Sequence, residues 1–477
     1  MTQATVLYRI TYSSRRMSYI DRGGHDIVDF DRSVLTRQAR RLRAVTVGVA
    51  TAAVVATGLT GTAHAAPAAP APTPAASAVN ESFYTPPSPL PAGKPGDVIR
   101  SQPLPTAITI PSPTGPIPAK ATRIMYLSID ANGAPIAVTG YYLQPTKKWT
   151  GPGARPVVAY AGGLHGQGDQ CAASKLLQEG VTLNFPGGPM AEIEQIVTLN
   201  LVNQGYGVVS SDYMGGGTPG THTFGNRVDQ GHAIIDATRA ALKLPEVSPE
   251  AKVAITGYSQ GGGAAASAAE LLGTYAPELP VVGVYAGGVP GDLLREMNYL
   301  DGNRLGGVIG YALNGATYRY PEFKARIANV LNPYGKQVMQ QVSGECIVLT
   351  SARGKPSTRE WTVSHKSFGE LVVADPILSK YVHEQDLGTI KPTVPVLLSS
   401  NPDDPTVPVV QGRELYSKWC EKGPASLQYT EIPFPVRFIS SSTFGHVAGG
   451  ISGFQRAFDW LADRFAGKPP VQGCSFS

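Results

Sequence analysis

The chain has 477 residues, of which 42% are apolar and 16% are charged. This composition supplies enough apolar surface for a large core, and it excludes wholesale disorder and a coiled coil. The formal net charge is +5, but residues 1–65 hold nine Arg and four Asp, and the remaining residues are balanced. We therefore expect no nucleic-acid partner, because the rest of the chain offers no basic excess for phosphates.

The first 65 residues have the layout of an export signal. Four arginines precede the uncharged residues 44–60, and a small-x-small triplet follows at 63–65. This layout predicts a signal peptide at 1–65 that is removed, leaving a secreted protein. The alternative is an uncleaved membrane anchor, but the apolar run is short for a span of about 20 residues. The Arg15-Arg16 and Arg40-Arg41 pairs leave general and twin-arginine export both open. Residues 66–80 are rich in Ala and Pro and predict an extended linker.

The folded part begins with a hairpin and continues with strands that alternate with helices. Asn132-Gly133, a strong turn signal, joins the strand-like runs 124–130 and 136–143. Further strands are predicted at 156–163, 207–212, 252–256, 281–288 and 394–400, and helices at 190–203, 229–243, 261–273 and 452–465. Such alternation predicts an α/β fold with a mainly parallel sheet that is covered on both faces.

The alternation stops between Gly291 and about Gln385. This block lacks clear buried strands and has mostly helical patterns. We interpret residues 293–385 as a helical cap inserted between two strands of the sheet. Residues 81–292 and 386–477 then form the core.

A nucleophile motif lies at the end of one predicted strand. Residues 257–261, Gly-Tyr-Ser-Gln-Gly, match the pattern G-x-S-x-G. The buried strand KVAIT runs into the motif and the small-residue helix GGGAAASAAELL leaves it, as in the nucleophile elbow of an α/β-hydrolase. Ser259 is therefore the candidate nucleophile. A tight turn with only a structural purpose is the alternative.

Ser259 needs a histidine as its base, and in this fold the chain order is Ser, acid, His. Only His365, His383 and His446 follow Ser259. His365 and His383 fall inside the predicted cap, where polar surface positions are expected. His446 lies in a glycine-flanked loop before the C-terminal helix, where the base belongs.

The acid is expected at the end of a late strand. The strand at 394–400 runs into Asp403 and Asp404, and both are candidates. Asp404 fits the D-x-x-V-P spacing of such hydrolases and is preferred, with Asp403 capping the turn. Asp212 precedes the serine, which is the wrong order, so we expect it to be structural.

The oxyanion hole should combine two backbone N–H groups. One belongs to Gln260, directly after the nucleophile. The other comes from the loop after the strand at 156–163, where Leu164 and His165 are both candidates. Glycines on both sides allow these N–H groups to point inward.

The chain resembles the secretory lipase family typified by Candida antarctica lipase A, from FYTPPSPLP (83–91) to the C-terminus. The resemblance is carried by GDQCAAS (168–174), VSSDYMG (209–215), GYSQGGGA (257–264), TYAPELPVVG (274–283), DPTVP (404–408) and the loop with His446. It implies an α/β-hydrolase fold with a helical cap, triacylglycerol lipase or carboxylesterase activity, and a triad of Ser259, Asp404 and His446. It also implies that Gln260 is an oxyanion donor and that residues 293–385 form a lid over an acyl tunnel.

The four cysteines permit three pairings as disulfides in an exported protein. The sequence alone does not choose among them, but the resemblance implies Cys171–Cys346 and Cys420–Cys474. No CxxC pair or His cluster accompanies them, so we expect no metal and no cofactor.

These observations predict a secreted serine ester hydrolase that acts on lipids or other esters through an acyl-enzyme. An acyltransferase with the same triad is the main alternative, followed by a peptidase and a non-catalytic binding protein of the same fold. We expect a monomer that makes transient contact with lipid interfaces.

Overall fold

The computed structural model describes three short N-terminal strands and residues 79–477, except 107–118, 183–186, 354–356 and 435–444. The chain divides into two units, residues 1–73 and 74–477. In the first unit the strands Arg9–Tyr12, Arg16–Ile20 and Asp26–Asp31 pair in antiparallel fashion. The predicted signal core at 44–60, its cleavage triplet and the linker up to residue 78 lie outside the described residues.

Ten strands of the second unit form one sheet. Its strands in chain order are β1 (Val98–Pro103), β2 (Ala119–Ile129), β3 (Pro135–Pro145), β4 (Val157–Ala161), β7 (Gly207–Ser211), β8 (Val253–Tyr258), β9 (Val281–Gly287), β10 (Val396–Ser400), β11 (Ser426–Glu431) and β12 (Gly473–Phe476). A separate two-stranded ribbon consists of β5 (Val181–Thr182) and β6 (Met190–Ala191). The spatial order of the sheet is β12-β11-β10-β9-β8-β4-β7-β3-β2-β1, and the first seven of these are parallel. The prediction of a mainly parallel α/β sheet is therefore confirmed.

Helices cover both faces of this sheet. They are α1 (Ala173–Glu179), α2 (Gln195–Asn203), α3 (Arg227–Leu242), α4 (Gln260–Tyr275), α12 (Val409–Glu421) and α13 (Gly445–Phe465). Side chains alternate along a strand, so Ile255 of β8 packs with α3 and α4 on one face, and Ala254 packs with α2 and α13 on the other.

A helical insertion lies between β9 and β10, which are neighbouring parallel strands. Its helices are α5 (Leu293–Leu300), α6 (Gly307–Arg319), α7 (Pro321–Val330), α8 (Pro333–Val342), α9 (Ile347–Ala352), α10 (Phe368–Ala374) and α11 (Pro376–Glu384). The insertion buries its own apolar cluster, which includes Trp361, Phe368 and Tyr311. Its helices lie between Leu293 and Glu384.

Two boundaries differ from the sequence predictions. The helix predicted at 190–203 begins at Gln195, because Met190–Ala191 pairs with Val181–Thr182 in the ribbon. The C-terminal helix begins at Gly445 rather than at 452, so His446 lies in its first turn instead of in a loop.

Two disulfides connect these elements, with the pairing that the family resemblance implied. Cys171–Cys346 joins the segment after β4 to the helical insertion, and Cys420–Cys474 joins α12 to the last strand. Among the described residues, no helix is both long and apolar enough to span a membrane.

Candidate active site

Ser259 lies at a strained turn between β8 and α4. Its backbone has φ 62° and ψ −124°, a region that residues other than glycine rarely adopt. The turn is held on both sides, because Ser259 N–H donates to Gly287 O at 3.0 Å and Gly263 N–H donates to Ser259 O at 3.0 Å. The side chain of Ser259 is half-buried. This is the geometry that the G-x-S-x-G motif predicted.

The glycines around Ser259 are required by close backbone approach. A Cβ on Gly257 would overlap the carbonyl oxygen of Gly261. A Cβ on Gly261 would overlap the carbonyl oxygen of Ala161 at the end of β4. The helix that follows Ser259 is therefore packed directly against the sheet edge, with its N-terminus beside the serine.

Asp404 and His446 are paired at the same edge of the sheet. His446 Nδ1 lies 2.8 Å from Asp404 Oδ2 and 2.9 Å from Oδ1. Asp404 Oδ1 also accepts the backbone N–H groups of Thr406 at 2.8 Å and Val407 at 3.0 Å, and Oδ2 accepts Tyr258 O–H at 3.0 Å. The carboxylate is thus fixed in one orientation, with the imidazole of His446 on its open side.

The surroundings of Asp404 favour its ionised form. Its side chain is completely buried, and burial alone opposes ionisation. The charge of His446 and the hydrogen bonds from His446, Thr406 and Val407 outweigh this effect, so the pKa of Asp404 lies below its ordinary value. A permanently charged acid can hold the imidazole and stabilise its protonated form.

Ser259 and His446 are not hydrogen-bonded to each other in this structure, although the residue before Ser259 contacts His446. The rings of His446 and Tyr258, the residue before the serine, lie 5.0 Å apart between centroids. The buried Nε2 of His446 has no hydrogen-bond partner within the described part of the chain. The nitrogen that would receive the serine proton is therefore free of competing donors and acceptors there.

Within the described part of the chain, the other acids and histidines considered from the sequence form no hydrogen bond or ion pair with Asp404 or His446. Asp403 is exposed, and its backbone N–H donates to Asn401 Oδ1 at 3.2 Å. Asp212 is buried and accepts the hydroxyls of Ser174 at 2.6 Å and Thr139 at 2.7 Å.

The two cap histidines lie on the surface of the helical insertion. His365 is exposed. His383 is also exposed and pairs with Asp386 at 2.9 Å.

The loop after β4 contains the backbone N–H groups that are candidates for the second oxyanion donor, beside that of Gln260. Gly163 N–H is already engaged, because it donates to both carboxylate oxygens of Glu194, at 2.9 and 3.0 Å. The N–H groups of Leu164 and His165 have no acceptor among the described residues. The side chain of Leu164 packs on the apolar cluster of the helical insertion. Leu164 and His165 both remain candidates for the second oxyanion donor.

Sequence analysis missed one residue that contacts Gln260. His222 Nε2 lies 3.0 Å from Gln260 Nε2, and His222 Nδ1 lies 3.1 Å from Met214 O. Burial lowers the pKa of His222 to about 4, so the ring is neutral, with Nδ1–H donating to Met214 and Nε2 accepting from Gln260. No motif marks His222, since its contact with the elbow arises only from the fold.

A second group that sequence analysis missed surrounds His165. His165 Nε2 lies 3.2 Å from Glu192 Oε2 and 3.7 Å from Glu194 Oε2. Burial lowers the pKa of His165, but the two carboxylates outweigh this effect and raise it to about 9. We call His165, Glu192 and Glu194 the His165 cluster; one ligand atom from each lies within 4.8 Å of those of the other two.

The parallel sheet with its strained serine turn defines the α/β-hydrolase class. Comparison with known proteins narrows the class. A family model described as "Secretory lipase" matches residues 181–473. Lipase 5 of Candida albicans is 30% identical over 410 residues, which cover 83% of this chain and 82% of that protein.

Two further proteins extend the comparison. A secreted triacylglycerol lipase of Malassezia globosa, LIP5, is 27% identical over 315 residues, which cover 64% of this chain and 62% of that protein. The closed-state X-ray structure of Candida antarctica lipase A matches with a TM-score of 0.68 at 22% identity, covering 83% of this chain and 88% of that one. The chain belongs to the secretory lipase family, and it is an enzyme of the lipase and carboxylesterase class.

Proposed function

We propose that this protein is a secreted serine ester hydrolase that cleaves carboxylic esters of lipids, triacylglycerols among them, through an acyl-enzyme on Ser259. The observation that carries the proposal is the backbone of Ser259, with φ 62° at the junction of β8 and α4. Such strain is retained where the surrounding structure over-determines it, typically at a catalytic position. Here it presents the hydroxyl above the end of the sheet.

In the first half-reaction the Ser259 Oγ attacks the ester carbonyl carbon, and its proton passes to His446 Nε2. The carbonyl oxygen becomes an oxyanion that accepts hydrogen bonds from the backbone N–H groups of Gln260 and Leu164, with His165 as the alternative second donor. The tetrahedral intermediate then expels the alcohol, which takes the proton from His446. Asp404 stays ionised throughout and stabilises the imidazolium.

In the second half-reaction water attacks the acyl-enzyme. His446 accepts the proton of the water, and the oxyanion forms again in the same hole. Collapse releases the fatty acid and returns the proton to Ser259. No atom in either half-reaction must come from a metal or cofactor.

The pairing of Asp404 with His446 supports this assignment. The carboxylate at 2.8 Å fixes Nδ1 as the protonated nitrogen, which leaves Nε2 as the base. The absence of a Ser259–His446 hydrogen bond within the described residues is compatible with the proposal, because such contacts often tighten only when substrate is bound.

Exposed apolar side chains beside the Asp404–His446 pair support a lipid substrate. Val447 and Ile451, next to His446 and one turn further along α13, are 42% and 51% exposed. Tyr299 of the helical insertion is 43% exposed, and its hydroxyl lies 3.4 Å from Asp404 O. We propose that these side chains contact the lipid interface and that residues 293–385 act as the cap over the acyl chain.

The family is secretory, and a relative is named as secreted. We propose that this chain is exported as a monomer after removal of residues 1–65. Sequencing the N-terminus of the protein from culture medium tests the cleavage site. A mature protein that still begins at Met1 would contradict it.

The function is tested by hydrolysis of p-nitrophenyl esters from acetate to palmitate, with wild type, Ser259→Ala and Ser343→Ala. Ser343 is an exposed serine of the helical insertion and serves as the matched control. We expect Ser259→Ala to lose on the order of 10⁶-fold in kcat and Ser343→Ala to retain full activity. A fluorophosphonate probe should label wild type once per chain and leave Ser259→Ala unlabelled. Full turnover by folded Ser259→Ala would refute the assignment, and a preference for acetate over palmitate would refute the lipid substrate.

A further inference from the structure

The His165 cluster contains buried polar atoms that the fold leaves with few hydrogen bonds. Glu192 is 95% buried from solvent, as its residue exposure is 5%. Glu192 Oε2 and His165 Nε2 pair with each other at 3.2 Å, and neither has a further hydrogen-bond partner among the described residues. Buried polar atoms in native proteins nearly always have several partners, so a carboxylate oxygen and an imidazole nitrogen that face each other without further partners can both serve as ligands of a cation.

The three side chains are held in place by backbone contacts on their outer sides. Glu192 Oε1 accepts Glu194 N–H at 3.1 Å, which leaves Oε2 directed at His165. The carboxylate of Glu194 is anchored by Gly163 N–H. Outer hydrogen bonds of this kind orient the ligands of metal sites.

The spacing of the three atoms matches that of ligands around one metal ion. Zn²⁺ binds imidazole nitrogen and carboxylate oxygen at about 2.0–2.2 Å, which places neighbouring tetrahedral ligands about 3.4 Å apart. The two ligand separations measured from His165 Nε2 are 3.2 Å and 3.7 Å, on either side of that value.

The charges of the cluster also call for a cation. No Lys or Arg of the described part of the chain forms an ion pair with Glu192 or Glu194. A proton on His165 supplies one positive charge against the two carboxylates that face it. A divalent ion balances both carboxylates and gives the two facing atoms a further partner.

We propose that His165, Glu192 and Glu194 form a binding site for one divalent transition-metal ion of the Zn²⁺ type. Sequence analysis predicted no metal, because no metal-ligand motif was visible; His165 is distant in the chain from the other two ligands. His165 also lines a cavity together with Gly162, His222 and Gln260. An ion bound by the three side chains ties the loop after β4 to the segment before α2. This inference does not depend on the proposed ester hydrolysis.

The test is isothermal titration calorimetry, in which ZnCl₂ is added to the full-length chain. The protein carries no tag histidines and is first treated with a chelator. Wild type is compared with His165→Gln, Glu192→Gln and His365→Gln, the last being the matched control at an exposed histidine. We expect one Zn²⁺ per chain in wild type and in the control. Binding should weaken at least about 100-fold in each cluster variant, because loss of an outer-shell partner alone costs 10–100-fold.

Circular dichroism in the near ultraviolet checks that each variant is folded. If His165→Gln does not fold, the isosteric Glu192→Gln decides the question alone. If wild type does not bind one Zn²⁺ per chain, the proposal is overturned. A proton shared among the three side chains then accounts for the cluster. Binding that is equally tight in the cluster variants overturns the proposal as well, since the ion would then lie elsewhere.

Discussion

Glu296 offers a quantitative test of how the helical insertion meets the core. This carboxyl lies on α5, is buried, and accepts a hydrogen bond from Gln411 Nε2 on α12. Burial raises its pKa from 4.5 to about 8, and the charge of Asp404 adds to this effect. Glu296 is therefore held in its neutral form at the junction of insertion and core.

The raised pKa makes Glu296 unfavourable for stability at neutral pH. Between pH 4.5 and 8 the folded chain keeps a proton that the unfolded chain releases. Each pH unit in this window lowers the free energy of unfolding by about 1.4 kcal/mol, so the loss reaches about 3 kcal/mol at pH 7. Below pH 4.5 both states are protonated, and the group has no effect.

Glu296→Gln should remove this loss, because the amide is neutral at every pH and still accepts the hydrogen bond from Gln411. Unfolding entropy is about 2.1 cal/mol/K per residue, so 3 kcal/mol corresponds to a Tm rise of about 3–4 °C for a folded unit of this size. We expect that rise at pH 7 and no difference at pH 4. Thermal unfolding monitored by circular dichroism at pH 4, 5.5, 7 and 8 measures it.

Glu322→Gln, at an exposed position on α7, is the matched control and should change Tm at no pH. A Glu296→Gln variant that is less stable than wild type by the same amount at pH 4 and pH 7 would refute the reasoning. The packing or the hydrogen bond of the carboxyl would then stabilise the folded chain, and its raised pKa would not lower the free energy of unfolding.

Three further predictions concern the candidate site and the Cys171–Cys346 disulfide. Tyr258→Phe removes the hydroxyl that donates a hydrogen bond to Asp404 at 3.0 Å. Because one hydrogen bond to a charged group is lost, kcat for p-nitrophenyl butyrate should fall about 10-fold or more while KM stays unchanged. Gly261→Ala places a methyl group against the Ala161 carbonyl. We expect the free energy of unfolding in urea to fall by about 1–3 kcal/mol and fluorophosphonate labelling of Ser259 to be lost. Normal labelling would contradict the packing argument. Replacing both residues of Cys171–Cys346 by Ser should lower stability by about 2–4 kcal/mol, and an unchanged urea midpoint would show that the bond contributes nothing.

The sheet and the elbow could be predicted because local sequence determines them. Three neighbouring features favour the same turn: the strand KVAIT, the glycines around Ser259 and the small-residue helix after it. The structure has a strand, a turn and a helix at these residues. The position of Asp404 after β10 also follows from local spacing, since the carboxyl ends of parallel strands share one edge of the sheet.

Other parts of the site depend on the fold. The edge strand β12 has four residues and little apolar character, so no pattern marks it. His222, Glu192 and Glu194 belong to irregular segments, and only the tertiary arrangement brings them to Gln260 and His165. Residues of this kind carry no periodicity or motif, because their contacts are long-range.

The helical insertion leaves the sheet after β9 and returns to it at β10, its immediate neighbour, with Gly287 paired in register with Ser399. Because the two strands are parallel, the chain leaves at the carboxyl end of β9 and returns at the amino end of β10, and the pairing of the two strands fixes both points whatever lies between them. The insertion can therefore change length or be exchanged as a module without altering the register of the sheet. A graft from a relative would keep Ser259, Asp404 and His446 on their own scaffold, but it would have to supply a cysteine to face Cys171 and partners for Gln411 and the Asp404 carbonyl.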